Sequence, residues 1–79
     1  MKLPRDLSGE QLAKVLCRHW GYVQSHRSGS HIILDAEEPC HHRIAIPSHK
    51  SLRIGSLNAI LRSVAEHKSV SREDILNTL

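Results

Sequence analysis

Seven of the 79 residues are histidines, and two of them, His26 and His31, flank the stretch Arg27-Ser28-Gly29-Ser30. Imidazole titrates near neutrality, so a histidine can take up or release a proton at cellular pH. RNA carries its own nucleophile, the 2′-hydroxyl beside the scissile phosphate. A protein that cleaves it needs a base for that proton, an acid for the leaving oxygen and positive charge for the phosphorane. On residue type alone His31 is the candidate base or acid, with His26, Arg27 and Lys50 as candidate helpers. The backbone amides of Gly29 and Ser30 could approach a phosphate closely. Taken by itself, His31 reads more plainly as a surface strand residue with no role.

A hairpin must position these groups. Tyr22-Val23-Gln24-Ser25-His26-Arg27 and His31-Ile32-Ile33-Leu34 have strand-like content. Ser28-Gly29 is turn chemistry, because glycine takes positive φ at no steric cost. An even number of loop residues would put Val23 and Ser25 on one apolar face with Ile32 and Leu34, and His26 opposite His31 on the other. A three-residue loop would set Val23 against Asp35 and mix the faces. The even loop is expected, and with it a surface-facing pair of histidines.

The flanking elements follow from local signals. Ser8 with Gln11 three residues on forms a capping box, with Leu7 positioned to staple to Leu12. The stripe Leu12, Val15, Leu16, His19 and Trp20 predicts a helix ended by Gly21. The lone Trp reads as packing in preference to a base-stacking platform. Beyond the turn-rich loop Asp35-Ala36-Glu37-Glu38-Pro39-Cys40, the run His42-Arg43-Ile44-Ala45-Ile46 alternates as a third strand. Its Arg43 should point outward with His26 and His31. The basic loop Ser48-His49-Lys50-Ser51-Leu52-Arg53 leads to a helix near Gly55-Ser56, striped by Leu57, Ile60, Leu61 and Val64. A short last helix opens at a Ser71/Asp74 capping box, with Val70 stapled to Ile75. The order helix, three strands, helix, short helix predicts an α+β fold, with helices layered on one face of an antiparallel sheet.

Composition narrows the class. Seventy-nine residues make a single domain over 1–79, one that buries little more than about 60% of its unfolded surface and has no room for a large cleft. The net charge is +3, and its distribution says more than its size. No acid occurs between Gln11 and Leu34 or between Pro39 and Ala65, spans that carry Lys14, Arg18, Arg27, Arg43, Lys50, Arg53 and Arg62. One basic side, the footprint of a phosphate-bearing partner, and an ordinary solvated surface weigh about equally. Cys17 and Cys40 lack a paired spacing, which suits a reducing cytoplasm. There is no apolar run of membrane-spanning length, and Met1-Lys2-Leu3-Pro4 does not read as a signal peptide.

Other chemistries fit less well. Cys40, His41, His42 and His49 tempt a metal reading, but structural zinc sites show short paired spacings, and adjacent His41 and His42 on a strand point to opposite sides. His41 and His49 read as solvated loop residues, and His67 as a helix-end residue favoured by the dipole. No metal or cofactor is expected. A Ser-His-Asp hydrolase lacks its nucleophile turn and its cleft.

Gly29-Ser30-His31 after a helix ending in Trp20-Gly21-Tyr22 resembles the HicA family of toxin messenger-RNA interferases. Ile46-Pro47-Ser48-His49-Lys50, then Gly55-Ser56-Leu57 and Ile60-Leu61, are similar to that family's second block. Together they run from Leu12 to Leu61 in the family's order. The chain departs from the pattern in having Ile54 where proline is common and Asn58 where a basic residue is common. The resemblance implies a double-stranded-RNA-binding-domain-like fold and metal-independent RNA cleavage by His31. It also implies a HicB-type antitoxin as partner. RNA contacts are expected, from the turn and the basic segments themselves, at His26, Arg27, Ser28, Gly29, Ser30, Lys50 and Arg53. A non-catalytic RNA-binding module of the same fold is the alternative.

Overall fold

Helix α1 (Gly9–His19) begins where the sequence places its signals. In a computed structural model, which describes residues 6–79, the Gln11 amide donates to the Ser8 hydroxyl (3.1 Å) and the Ser8 amide donates to the Gln11 side chain (2.9 Å). Two donors orphaned by the first turn are thereby satisfied. Residues 1–5, which hold most of the expected lead-in and the segment read for a leader, lie outside the described residues. Leu12, Ala13 and Leu16 are buried, and His19, at the edge of the stripe, is exposed.

Strands β1 (Val23–Ser28), β2 (His31–Ala36) and β3 (His42–Pro47) follow, then α2 (Ile54–Lys68) and α3 (Arg72–Leu76). The sheet is antiparallel with β2 in the centre. This is the α+β layout the patterning predicts: helix, three-stranded sheet, helix, short helix. A second capping box, Ser71 with Asp74, opens α3. Ile32, Leu34 and Ala36 of β2 and Ile44 and Ile46 of β3 point to one face. They meet Leu12 and Leu16 of α1, Leu57, Ile60, Leu61 and Val64 of α2, and Ile75 and Leu76 of α3 in one core. The other face of the sheet carries His31, Ile33, Asp35, Arg43 and Ala45, none of them buried. Among the described residues no helix is long and apolar enough to cross a membrane.

The hairpin departs from expectation twice. Its loop is even but shorter than the one that would set His26 opposite His31. Ser28 pairs with His31 across Gly29-Ser30, and His26 faces Ile33. Gly29 takes φ 58° at the first of the two loop positions, the glycine position of a type II′ turn. Because the spacing stays even, His26, Ser28 and His31 still share the outer face. The second departure is a bulge. The register shifts between Gln24 and His26, leaving Ser25 as the extra residue, with Gln24 facing Leu34 and Val23 facing Asp35. Val23, expected on the apolar face, is turned outward and 67% exposed. An edge strand tolerates this because no strand on its free side enforces regular spacing. The inner side of β1 therefore presents Gln24 and Arg27. With Gln24 in place of Val23 beside Arg27, α1 does not seal against β1, and an open groove of about 700 Å³ separates them.

Candidate functional site

His31 is the first residue of β2, exposed, paired through its backbone to Ser28 on one side and Pro47 on the other. The turn before it is held firmly. The Ser30 carbonyl accepts from both the amide (2.7 Å) and the hydroxyl (2.9 Å) of Ser48. The segment after β3 is itself anchored on α1: the Gly9 amide donates to the His49 carbonyl (3.0 Å), and the Leu52 amide donates to the Leu7 carbonyl (2.8 Å). Hairpin turn, the 48–52 loop and the start of α1 thus form one hydrogen-bonded unit, and His31 stands on its outer rim. His26, on the same sheet face, is exposed and has its Nδ1 3.2 Å from the Ser25 hydroxyl.

The remaining site candidates are divided. His26, Ser28, Gly29, Ser30 and His31 lie together at the hairpin end. Arg27 points to the opposite face of β1, where its guanidinium bonds Glu10 at 2.9 Å. Both partners are well exposed, so this ion pair adds little stability. Lys50 lines a shallow groove with Ser8, Gln11, Lys14 and His49, on the α1 side of the molecule. Arg53 is the exposed N-cap residue of α2 and makes no side-chain capping bond. Charge is therefore not gathered around His31. Lys14, Arg18 and Arg27 line the groove between α1 and β1, and Lys50 extends that band past the end of the helix. Arg43 does point outward as expected, but its guanidinium holds Asp35 through two bonds (2.8 and 3.2 Å). That contact keeps the Asp35 carboxyl well below the usual carboxylate range.

Sequence reasoning missed a second polar constellation, at the other end of the sheet. The Tyr22 hydroxyl lies 2.7 Å from His42 Nδ1, and His42 Nε2 lies 3.1 Å from the Ser63 hydroxyl. The His42 ring stacks on that of His67 at 4.4 Å. His67 Nε2 and Lys68 Nζ both donate to the Glu38 carbonyl (3.0 and 2.8 Å), and Lys68 sits over the Tyr22 ring at 5.2 Å. Ser63 and His67, four residues apart on α2, share one helix face, which was the available signal. His41 goes the other way, to Asp35 at 3.3 Å.

Burial lowers the His42 pKa, and His67, Lys68 and His41 add repulsion that lowers it further; burial also pushes the Tyr22 phenol up to about 12. The fold thus prefers His42 neutral. Its contribution is complete above the ordinary imidazole value of about 6.5. It is lost as pH falls through the depressed folded value, because the unfolded chain takes up the proton first. The melting temperature should accordingly drop as pH is lowered below about 6.5, and the drop should be shallower in His42→Gln. Equal slopes in calorimetric scans of the two proteins would contradict this. Asp35 titrates at far lower pH and does not obscure that window.

Neither family models, nor curated proteins, nor solved structures yield a match to this chain.

Proposed function

We propose that the chain is a small metal-independent endoribonuclease, a toxin of the HicA type acting on messenger RNA in the cytoplasm, with His31 as general base. The observation that carries this reading is the shared, uncovered sheet face on which His26 and His31 flank a rigidly held turn. Proton transfer at a phosphodiester needs solvent-accessible imidazoles in fixed positions on an open surface able to admit a long polymer. Gly29 brings backbone close to that surface, where amides can meet a phosphate oxygen. A second reading, a module that binds RNA without cleaving it, is favoured by the band of Lys14, Arg18 and Arg27 between α1 and β1, on the side of the sheet opposite the His31 face.

Purified protein incubated with RNA in excess chelator discriminates the two. Cleavage leaving 2′,3′-cyclic phosphate ends is the expected result, since 2′-hydroxyl attack gives that product. Binding without cleavage supports the second reading. Products with 5′-phosphates and full metal dependence rule out the first.

A HicB-type antitoxin is the proposed partner, silencing the toxin by covering the His31 face with an acidic surface that also reaches Lys50 and Arg53. Its association should slow as ionic strength rises. Arg27, expected at this contact, points away from the His31 face. Charge reversal of Lys50 together with Arg53 should weaken both RNA and antitoxin binding. If RNA binding falls while the antitoxin's on-rate and affinity are unchanged, inhibition does not work by covering this surface.

A further inference from the structure

His31 alone accounts for half of the proton transfers. Attack by the 2′-oxygen forms a new P–O bond and releases one proton, while rupture of the P–O5′ bond leaves an alkoxide that must gain one. We propose that His26 is the group that protonates the departing 5′-oxygen; the inference rests on the ribonuclease reading above.

Elimination among the seven histidines singles it out. His19 lines the groove on the α1 side, and His49 lines the adjoining one. His41 is taken by Asp35, His42 by Tyr22 and Ser63, and His67 by the Glu38 carbonyl. His26 alone shares an uncommitted outer face with His31. With Ser28 opposite His31 and Ile33 opposite His26, the two histidines are diagonal neighbours across the hairpin, about 7–8 Å apart and within mutual reach of long side chains. A phosphodiester placed between them can have its attacking and leaving oxygens addressed from opposite sides.

The bulge supplies the orientation. The Ser25 hydroxyl lies 3.4 Å from the Ile33 carbonyl and also meets the Asp35 carboxylate, two groups that can only accept; with its one proton given to either, it accepts from His26. In that arrangement His26 Nδ1–H is the donor across the 3.2 Å contact, which leaves Nε2 as the nitrogen for the substrate. Without the extra residue at position 25, Ser25 would face inward and no such tether would exist. The ionisable groups elsewhere on this face are Asp35, Arg43 and His41, already joined to one another, and among the described residues no helix packs over it. In the full step the 2′-hydroxyl proton passes to neutral His31, while His26, entering as the imidazolium with both ring nitrogens protonated, passes its Nε2 proton to O5′. The products are a 2′,3′-cyclic phosphate and a 5′-hydroxyl, and water restores both imidazoles.

The test compares two substrates: a short RNA oligonucleotide, whose alkoxide leaving group needs a proton, and uridine 3′-(4-nitrophenyl phosphate), whose phenolate does not. His26→Ala should lose about 10²–10⁴-fold in kcat/KM on RNA yet stay within about tenfold of wild type on the aryl ester, whereas His31→Ala should fall on both. His26→Gln, which can still donate to Ser25 but cannot deliver the proton, should behave like His26→Ala. The bell-shaped pH profile of wild type on RNA should lose its alkaline limb in both His26 variants. Undiminished RNA cleavage by the His26 variants while His31→Ala is dead overturns the inference and leaves the ribonuclease reading standing. Equal losses on both substrates also overturn it, by assigning His26 another role. Wild-type protein inactive on both substrates overturns both.

Discussion

Replacing His31 with alanine should reduce RNA cleavage by about 10²–10⁴-fold, the usual worth of a positioned general base, and abolish growth inhibition on expression. The same change should leave thermal stability nearly untouched, within about 0.5 kcal/mol. His31 is exposed at the start of β2, its side chain fills no part of the core, and the turn beside it is fixed by main-chain and Ser48 contacts that do not involve the imidazole. Loss of activity without loss of fold is therefore the expected signature, read from a cleavage time course beside a melting curve. A well-folded His31→Ala protein that still cleaves would remove His31 from the chemistry. A variant that melts far below wild type would mean that the imidazole supports the hairpin.

Those elements of the fold whose signals are local were legible in the sequence. Ser8/Gln11 and Ser71/Asp74 announce two helix starts, and both capping boxes form. The alternation in β2 and β3 and the Leu57–Val64 stripe give the sheet and α2 their buried faces. The hairpin was legible only in part, because the parity of a loop and the parity of a strand are separate quantities. Gly29 fixes an even turn, but nothing in Val23-Gln24-Ser25-His26 marks a bulge, and one extra residue exchanges Val23 for Gln24 on the inner face. The open groove beside α1 follows from that exchange. In the same way the scatter of cations was readable as charge but not as place. Arg27 is close to His31 along the chain, and strand alternation turns it to the opposite face; Lys50, placed in a basic loop by the sequence, lines a groove beside α1 because that loop is anchored on the helix. The Tyr22–His42–Ser63 chain joins the α1–β1 connection, β3 and α2 and has no local signature beyond the spacing of Ser63 and His67.

Gly9→Ala should destabilise the protein strongly, and the sign runs against helix propensity, which favours alanine over glycine by about 1 kcal/mol within a helix. Gly9 is the first residue of α1 and is buried. A Cβ there would fall on the Pro47 carbonyl oxygen, with the Pro47 carbonyl carbon 2.9 Å away and the Ser48 Cα 3.2 Å away. All three are main-chain atoms, so no side-chain rotation relieves the clash. The helix start and the end of β3 must separate, straining the bond from the Gly9 amide to the His49 carbonyl. Overpacking of this kind costs about 1–3 kcal/mol, occasionally more, and for a domain of this size each kcal/mol lowers the melting temperature by about 4–8 °C. The strain also reaches the hairpin, because Ser48, the residue that would be displaced, holds the Ser30 carbonyl beside His31. Cleavage should then fall even at temperatures where Gly9→Ala is folded. Gly55 is the control. It lies in the first turn of α2, and a Cβ there meets nothing within 4 Å, so Gly55→Ala should be stabilising by about 0.4–1 kcal/mol. Parallel melts of the two variants read the difference directly. If Gly9→Ala melts at or above wild type, the close approach of α1 to the Pro47–Ser48 backbone is not a feature of the folded protein in solution.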